Sequence, residues 1–238
     1  MQPHLPWSDF TRPSRARNLT IAGRDVPVVV ARHRLARRYI VRVSPEGCLR
    51  LTVPRGASIA GGVAFAARQS AWIARELARH FERHAPWGSG TLTWFRGERV
   101  AITVANRRAT FSTEVVELTS AAADVRPVVE ARFRELAHRE LPDRCRAVAA
   151  REGLDVGDVR VRNQRSRWGA CSPRGLITLN WRLVQMPPDV SDYVIVHELM
   201  HLRQPNHSRR FWREVDKACR WWRDAERWLR RHGRELLP

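Results

Sequence analysis

Lysine and long apolar runs are nearly missing from this chain of 238 residues. Lys217 is the only lysine, so the formal charge of +19 comes almost wholly from arginine. No apolar run reaches the roughly 20 residues that a membrane-spanning helix needs. The segment Met1–Thr20 carries no apolar core of the kind found in a secretory signal. The sequence therefore predicts a cytoplasmic protein that makes no use of a membrane.

Paired cysteines are also missing. The four cysteines are far apart and form no C-x-x-C pair, which argues against a disulfide framework and favours reduced thiols. The first half of the chain shows neither a glycine-rich nucleotide loop nor a catalytic-triad pattern. These absences leave the chemistry to another part of the sequence. The four cysteines are Cys48, Cys145, Cys171 and Cys219.

The excess of arginine favours an anionic partner such as nucleic acid, a nucleotide or an acidic peptide. Codon bias and a solvated arginine-rich surface are the alternative explanation. Tryptophans near the C-terminus leave a similar choice between stacking on nucleic acid and packing beneath a helix, and the second use is the commoner one. These tryptophans are Trp212, Trp221 and Trp228.

Hydrophobic residues make up 43% of the chain, which is typical of a globular protein. We predict a flexible tail over residues 1–17, a β-rich half with one helix over 18–120, and a second half over 121–238. The first half is expected to contain a helix over Ala57–Arg83. Its strands are predicted at Val26–Ala31, Tyr39–Val43, Leu49–Val53, Thr91–Phe95, Val100–Val104 and Ala109–Leu118.

The second half begins with a helical pattern over 124–153, which Pro142 is expected to kink or restart. Val159–Asn163 and Leu176–Asn180 read as strands of a hairpin that precedes a further helix. Asp189 or Ser191 is the expected N-cap of that helix. A last amphipathic helix is predicted from Ser208 to about Gly233.

The helix between these elements carries the motif His197-Glu198-x-x-His201. Residues four apart on an α-helix lie about 40° from each other around the axis, so both imidazoles can reach one metal ion. Glu198 lies beside them, where a carboxylate can take a proton from a metal-activated water. From Tyr193 to Leu202, Glu198 is the only formally charged side chain, as a dry metal site requires.

A third histidine follows closely at His207, beyond a turn that Pro205 favours. Its spacing from His201 matches that of H-E-x-x-H-x-x-G-x-x-H proteases, although Gln204 occupies the glycine position and no methionine follows for a Met-turn. We expect one zinc ion held by His197, His201 and His207. Glu214 is the reserve ligand, as in a site with two histidines and a glutamate.

Several segments closely resemble YgjP-like metal-dependent hydrolases, which are related to the SprT-like zincins. In the second half they are Arg165–Ser172, Ile177–Asn180, Pro187-Pro188, Asp192–Leu202, Asn206–Ser208 and Phe211-Trp212. In the first half they are Arg37–Tyr39, Val53–Ala57 and Ala71–Ile73. Ala170 is a mild departure, because a serine is usual there.

The resemblance implies an α+β fold with a zincin-like core, in which a small antiparallel sheet accompanies the H-E-x-x-H helix. It also implies that His197, His201 and His207 bind zinc, that Glu198 is the catalytic residue, and that the strand near 167–172 lines the cleft. Family members are described as peptidases, and nucleoside triphosphate hydrolysis has also been proposed for them.

The expected function is therefore zinc-dependent hydrolysis, first of peptides or proteins, with Glu198 as general base. Nucleoside triphosphate hydrolysis, with Arg167 as a phosphate clamp, is the first alternative. A nucleic-acid-associated zinc protein is the second. The residues expected to contact substrate are Arg167, Trp168, Asn180 and Asn206.

Overall fold

The computed structural model describes residues 14–44, 46–119 and 123–237. It divides into two compact units, one extending to Ala85 and the other beginning at Pro86. Most of the predicted tail, residues 1–13, lies outside the described residues, and residues 14–17 begin the first strand. The predicted division between residues 120 and 121 stays a prediction.

The N-terminal unit is a four-stranded sheet with two helices. The sheet has the order β1-β2-β4-β3, in which β2 and β4 are parallel and the other neighbours are antiparallel. Its elements are β1 (Ser14–Ile21), β2 (Arg24–His33), β3 (Ile40–Val43), β4 (Leu49–Pro54), α1 (Ile59–Arg68) and α2 (Ser70–His84).

Two features of this unit differ from the sequence expectation. Strand β1 pairs with β2 through a two-residue turn in which Ala22 and Gly23 both have positive φ, as such hairpins require. The single helix expected over 57–83 is interrupted at Gln69, whose backbone leaves helical geometry. Apolar spacing continues across that residue, so periodicity alone does not reveal the break.

The C-terminal unit contains the remaining strands and helices. A helix of 26 residues, α3, forms the centre of its core and packs against a 3-10 helix. The elements are β5 (Leu92–Phe95), β6 (Glu98–Ala101), β7 (Thr103–Ala105), β8 (Arg108–Phe111), β9 (Glu114–Glu117), α3 (Arg126–Arg151), β10 (Asp158–Arg162), β11 (Gly169–Cys171), β12 (Leu176–Asn180), the 3-10 helix Trp181–Gln185, α4 (Pro188–Met200), α5 (Arg209–Ala218) and α6 (Trp222–Leu236).

Aromatic side chains join the small hairpins to α3. Phe133 of α3 stacks on Trp181 and contacts both Phe95 and Phe111, with ring centroids 5.0–6.3 Å apart. Pro142 lies inside α3, which continues through it, so the predicted restart of the helix at this residue is wrong. Buried residues on both sides of Pro142, including Leu141 and Cys145, stabilise the continuous helix.

The small sheet before α4 is mixed, whereas an antiparallel hairpin was expected. Strand β10 pairs with β12 in parallel, and β11 forms the antiparallel neighbour on the other side of β12. Strand β11 was not predicted, because it is three residues long and lies within a turn-rich segment. The outcome is a mixed α/β architecture in which β11 is an edge strand within the described residues.

The last two corrections concern helix ends. Helix α4 begins at Pro188, and the Pro187 carbonyl accepts from Val190 and Ser191, so neither Asp189 nor Ser191 is its N-cap. The last predicted helix is divided at Cys219, which is fully buried and has a non-helical backbone. In the part of the chain that the structure describes, no helix is long and apolar enough to cross a membrane.

Candidate metal centre

Helix α4 places His197 and Glu198 inside the C-terminal unit. Nine of its thirteen residues are buried, and they face all sides of the helix. A helix that is apolar all round belongs in a protein core, so burial fixes its position. His201 follows as the C-cap, one turn after His197.

A turn returns His207 to this end of α4. The Asn206 side chain accepts a hydrogen bond from the backbone N–H of Ser208, and the Ser208 hydroxyl caps α5 by accepting from Phe211 N. Ser208, where the sequence places the start of the last helix, is therefore the N-cap of α5. Asn206, which was expected to contact substrate, is exposed and shapes the turn that carries His207.

The three imidazoles form one cluster. The Nε2 atoms of His197 and His207 are 2.9 Å apart, and one ligand atom from each of the three histidines lies within 4.8 Å of the others. Two nitrogen ligands of a tetrahedral zinc ion, each about 2.0–2.1 Å from the metal, are about 3.3 Å apart. The cluster therefore needs only small adjustments to hold one zinc ion.

A carbonyl orients one of these rings. His201 Nδ1 lies 3.2 Å from the backbone oxygen of Gln204. A carbonyl can only accept, so the proton resides on Nδ1 and the Nε2 lone pair is left for a metal. Gln204 thus supplies, through its backbone, the orienting contact that histidine ligands commonly have.

Phe211 forms the floor of the cluster. Its ring is fully buried, stacks on His201 at 4.6 Å, and meets the edges of His197 and His207 at 5.0 and 4.8 Å. Phe211 stands out in the sequence only through the Phe211-Trp212 segment of the family resemblance, and no part in the site was expected of it. Its position three residues after the N-cap Ser208 was the available signal, since that turn also carries His207.

Burial shifts the ionisation of the cluster. It lowers the pKa of His197 to about 4, and the nearby His201 and His207 lower it further in the same direction. The pKa of His201 is lowered too, mainly by burial. A neutral imidazole keeps the lone pair that a metal requires, so His197 and His201 are prepared to bind a cation at neutral pH.

Glu198 is a buried carboxyl beside the histidines, with 8% of its surface exposed. Burial raises its pKa to about 7, and the positive charge of Arg167 acts in the opposite direction. A carboxyl that titrates near neutral pH can both accept and donate a proton there. Glu198 therefore has the ionisation that acid–base chemistry uses.

Strand β11 contacts the Glu198 side chain through a glycine. A Cβ placed on Gly169 would lie 2.5 Å from Glu198 Cγ and 2.8 Å from Oε1. Contacts this short do not occur between real side chains, so the carboxyl occupies the space that a larger residue would fill. The absence of a side chain at Gly169 thus allows β11 and α4 to approach closely.

Asn180 holds the loop that leads into β11. It is fully buried, and its side-chain amide donates to the backbone oxygens of Gln164 at 2.8 Å and Arg167 at 2.9 Å. Its own N–H donates to Trp168 O at 2.8 Å. These bonds favour a role for Asn180 in positioning Arg167 and Trp168, whereas direct contact with substrate was expected.

Three further residues were expected at or near the site, and the structure gives each a different environment. Arg167 is exposed and close enough for its charge to act on Glu198. Trp168 is half-buried, and its ring contacts Gly233 of α6. Glu214, the reserve ligand, instead pairs with Arg203 at 3.1 Å and Lys217 at 3.2 Å.

Comparison with known proteins gives one family. A family model described as "YgjP-like, metallopeptidase domain" matches residues 37–232. A solved structure, the metallopeptidase zymogen of Pyrococcus abyssi abylysin, is 30% identical over 32% of this chain and 75% of that chain, with a TM-score of 0.29. No curated protein matches the chain.

Proposed function

Because this chain belongs to the YgjP-like metallopeptidase family, we propose that it is a zinc-dependent peptidase with a zincin-like core. His197, His201 and His207 are the proposed ligands of one zinc ion, and Glu198 is the proposed general base. The observation that carries this proposal is the cluster of three histidine ligand atoms within 4.8 Å beside a buried carboxyl.

The number of ligands supports a catalytic site over a structural one. Structural zinc sites are closed by four protein ligands, whereas catalytic sites use three and leave a position open. In the described residues, the group of histidine, cysteine and acidic side chains able to hold a metal contains three members. Glu214 is engaged in ion pairs and does not complete a fourth.

The proposed chemistry is peptide hydrolysis. A bound zinc ion supplies Lewis acidity, which lowers the pKa of a bound water and polarises the substrate carbonyl. Glu198 accepts the proton of the attacking water and then donates it to the departing amine. The buried surround of α4 keeps the local dielectric low, so electrostatic interactions at Glu198 are stronger than they would be in water.

We propose that the substrate backbone pairs with the free edge of β11. In the described residues β11 pairs with β12 alone, which leaves one row of its backbone groups unpaired. Gly169 lies against Glu198, so an extended peptide added to this edge passes beside the catalytic carboxyl. Main-chain pairing of this kind binds many sequences, which suits a peptidase of broad specificity.

Arg167 supports nucleoside triphosphate hydrolysis as a second candidate. Its guanidinium is exposed near Glu198 and is able to bind a phosphate by paired hydrogen bonds. Phosphate transfer generally uses several cationic groups around the reacting phosphorus. Among the described residues, Arg167 is the one cationic side chain whose charge affects the pKa of Glu198. Peptide hydrolysis therefore remains the first proposal.

One turnover experiment separates the two candidates. Zinc-loaded protein is offered unfolded protein and a panel of nucleoside triphosphates in parallel, with the Glu198→Gln variant as blank. Peptide cleavage that disappears in the blank supports the peptidase. Phosphate or pyrophosphate release that disappears in the blank, without peptide cleavage, overturns it in favour of nucleotide hydrolysis.

A further inference from the structure

The N-terminal unit carries a groove that the proposed hydrolysis does not use. It has a volume of about 670 Å³ and lies where β3, the end of β4 and the two helices meet. We call it the basic groove. Its polar and aromatic lining comprises Arg37, Arg38, Tyr39, Phe65, Gln69 and Trp72.

Aromatic rings form one side of the basic groove. Trp72 projects from α2 with 37% of its surface exposed, and its side chain lines the groove. Tyr39 and Phe65 stack with their centroids 6.0 Å apart. The groove therefore offers flat apolar faces to solvent.

The Tyr39 ring is held rigidly. Its hydroxyl donates to the Ser58 carbonyl at 3.0 Å. A Cβ on Gly61 would lie 2.6 Å from that hydroxyl, and one on Gly62 would lie 3.2 Å from the ring. The two glycines of α1 thus allow the Tyr39 ring to lie closely against the helix.

Two unpaired arginines flank these rings. Arg37 and Arg38 are exposed, and among the described residues neither forms an ion pair with a carboxylate. In the C-terminal unit, by contrast, many arginines are paired with acidic side chains. Examples are Arg96 with Glu140, Arg132 with Glu114, Arg144 with Asp192 and Arg203 with Glu214.

The sequence shows the same difference in charge. Residues 1–85 contain fifteen arginines and five acidic residues, which leaves a formal charge of +10. The whole chain carries +19, so residues 86–238 contribute +9 although they are nearly twice as many. Positive charge is therefore concentrated in the smaller unit.

We propose that the basic groove binds single-stranded nucleic acid. Bases stack on Trp72 and Tyr39, and Arg37 and Arg38 contact the phosphates on either side. Alternating aromatic and basic side chains of this kind are what single-strand binding surfaces use, because every base has a flat face and every link a negative charge.

The charge distribution favours a strand over a free nucleotide. A charge of +10 spread over 85 residues exceeds what one nucleotide can neutralise, whereas a polyanion meets many arginines at once. A duplex is disfavoured, since its bases are already stacked on one another and cannot reach Trp72. This inference uses no residue of the metal centre, so it stands or fails independently of the proposed peptidase.

Fluorescence anisotropy of a labelled single-stranded oligonucleotide with the full chain tests the proposal. Trp72→Ala is expected to weaken binding by about fivefold to more than a hundredfold, the usual effect of removing one stacking partner. The double variant Arg37→Gln, Arg38→Gln is expected to lower the slope of log affinity against log salt by about 1.4, or about 0.7 for each lost contact.

Two matched controls lie outside the groove in the same unit. Phe81 is exposed on α2 nine residues after Trp72, which places it on the opposite side of that helix. Arg24 is exposed at the β1–β2 turn. Both Phe81→Ala and Arg24→Gln are expected to leave affinity within about twofold of the unchanged protein. Phe81 lies away from the groove, and screening limits the reach of the distant Arg24 charge.

Three competitors complete the test. Support requires that the single strand competes at a much lower concentration than the duplex, and that Trp72→Ala leaves binding of inorganic polyphosphate unchanged. Equal competition by duplex, equal weakening in the Phe81→Ala control, or no binding of the strand overturns the proposal. Competition by a mononucleotide at the same concentration as the strand overturns it too, and assigns the groove to free nucleotides.

Discussion

Glu198 combines three properties that are seldom found together in one carboxyl. It is buried, it lies beside three imidazoles, and it has no side chain opposite it at Gly169. Burying a carboxylate costs free energy unless a partner compensates its charge. A functional role therefore explains the position of Glu198 better than core packing does. In the proposed function the three histidines bind the metal ion and Glu198 transfers the proton, so the two kinds of residue have different roles.

The first prediction concerns the carboxylate itself. Glu198→Gln keeps the shape of the side chain and removes its basicity, so turnover should fall by about 10² to 10⁴ while zinc content stays near one ion per chain. Metal analysis and peptide hydrolysis are measured on the same preparation. Glu214→Gln is the matched control and should retain both zinc and activity, since Glu214 is paired with Arg203 and Lys217.

The second prediction tests the ligand set. His207→Ala should lose zinc and turnover together, because two histidines hold the ion much less tightly than three. Equilibrium dialysis against a zinc chelator of known affinity measures the change. Normal zinc occupancy in this variant, with loss of zinc in Glu214→Ala, would transfer the third ligand from His207 to Glu214.

Residue spacing made part of this site predictable. His197 and His201 are one turn apart at the end of α4, and Pro205 favours a turn before His207, so their meeting follows from local geometry. The contacts of Phe211 and Asn180 depend on how α5 and the 164–168 loop pack in three dimensions. No spacing rule expresses that packing, so neither the ring contacts of Phe211 nor the loop hydrogen bonds of Asn180 were predicted, and substrate contact by Asn180 stays a prediction.

At the scale of elements, the site depends on the approach of β11 to α4. The pairing of Gly169 with Leu179 fixes the register of β11 on β12. The Glu198 side chain then fills the space beside Gly169. The short strand therefore has two tasks: its backbone limits where the carboxyl can lie, and its free edge is the proposed substrate track.

The third prediction belongs to this contact. Gly169→Ala brings a Cβ to 2.5 Å from Glu198 Cγ, so the carboxyl must move. A displacement of about 1 Å at a catalytic group can cost about 10²-fold in rate, and turnover should fall by that order while zinc binding persists. Ala170→Ser, on the same strand, is the control and should leave turnover nearly unchanged. Full activity in Gly169→Ala would separate β11 from the positioning of Glu198.

The differences between expected and observed elements have physical causes. Gln69 and Cys219 interrupt helices whose apolar spacing continues across the break, so periodicity alone reveals neither interruption. The parallel pairing of β10 with β12 was hidden by β11, since three residues are too few for an alternating pattern. The strongly apolar α4 and the Arg96-Gly97 turn between β5 and β6, by contrast, follow from local sequence alone.

At the scale of the whole molecule, two separate hydrophobic cores coincide with the two compact units. The buried residues of the smaller core extend from Ile21 to Leu77, and those of the larger core from Phe95 to Leu236. The three histidines lie in the larger unit, and the basic groove lies in the smaller unit. Exposed ion pairs contribute little to stability, so burial in each core is the main stabilising term.

This separation leads to the fourth prediction, that zinc stabilises only one of two unfolding transitions. A ligand at 100 times its dissociation constant stabilises the folded state by about 2.7 kcal/mol, which raises the Tm of a unit of this size by roughly 5–10 °C. Removing zinc with a chelator should therefore lower the Tm of the transition of residues 86–238 and leave the Tm of the other transition unchanged. Calorimetry measures both. Tryptophan fluorescence identifies which transition belongs to residues 86–238, because eight of the ten tryptophans lie in that range.

Two variants identify the transitions independently. Ile73→Val removes a methylene group from the smaller core, where Ile73 is fully buried. It should lower the free energy of unfolding in the zinc-insensitive transition by about 0.5–1.5 kcal/mol. His207→Ala should abolish the zinc-dependent shift without moving the other transition. One cooperative transition, or equal zinc shifts in both, would mean that the two cores unfold as a single unit and that metal binding at the histidines stabilises the entire chain.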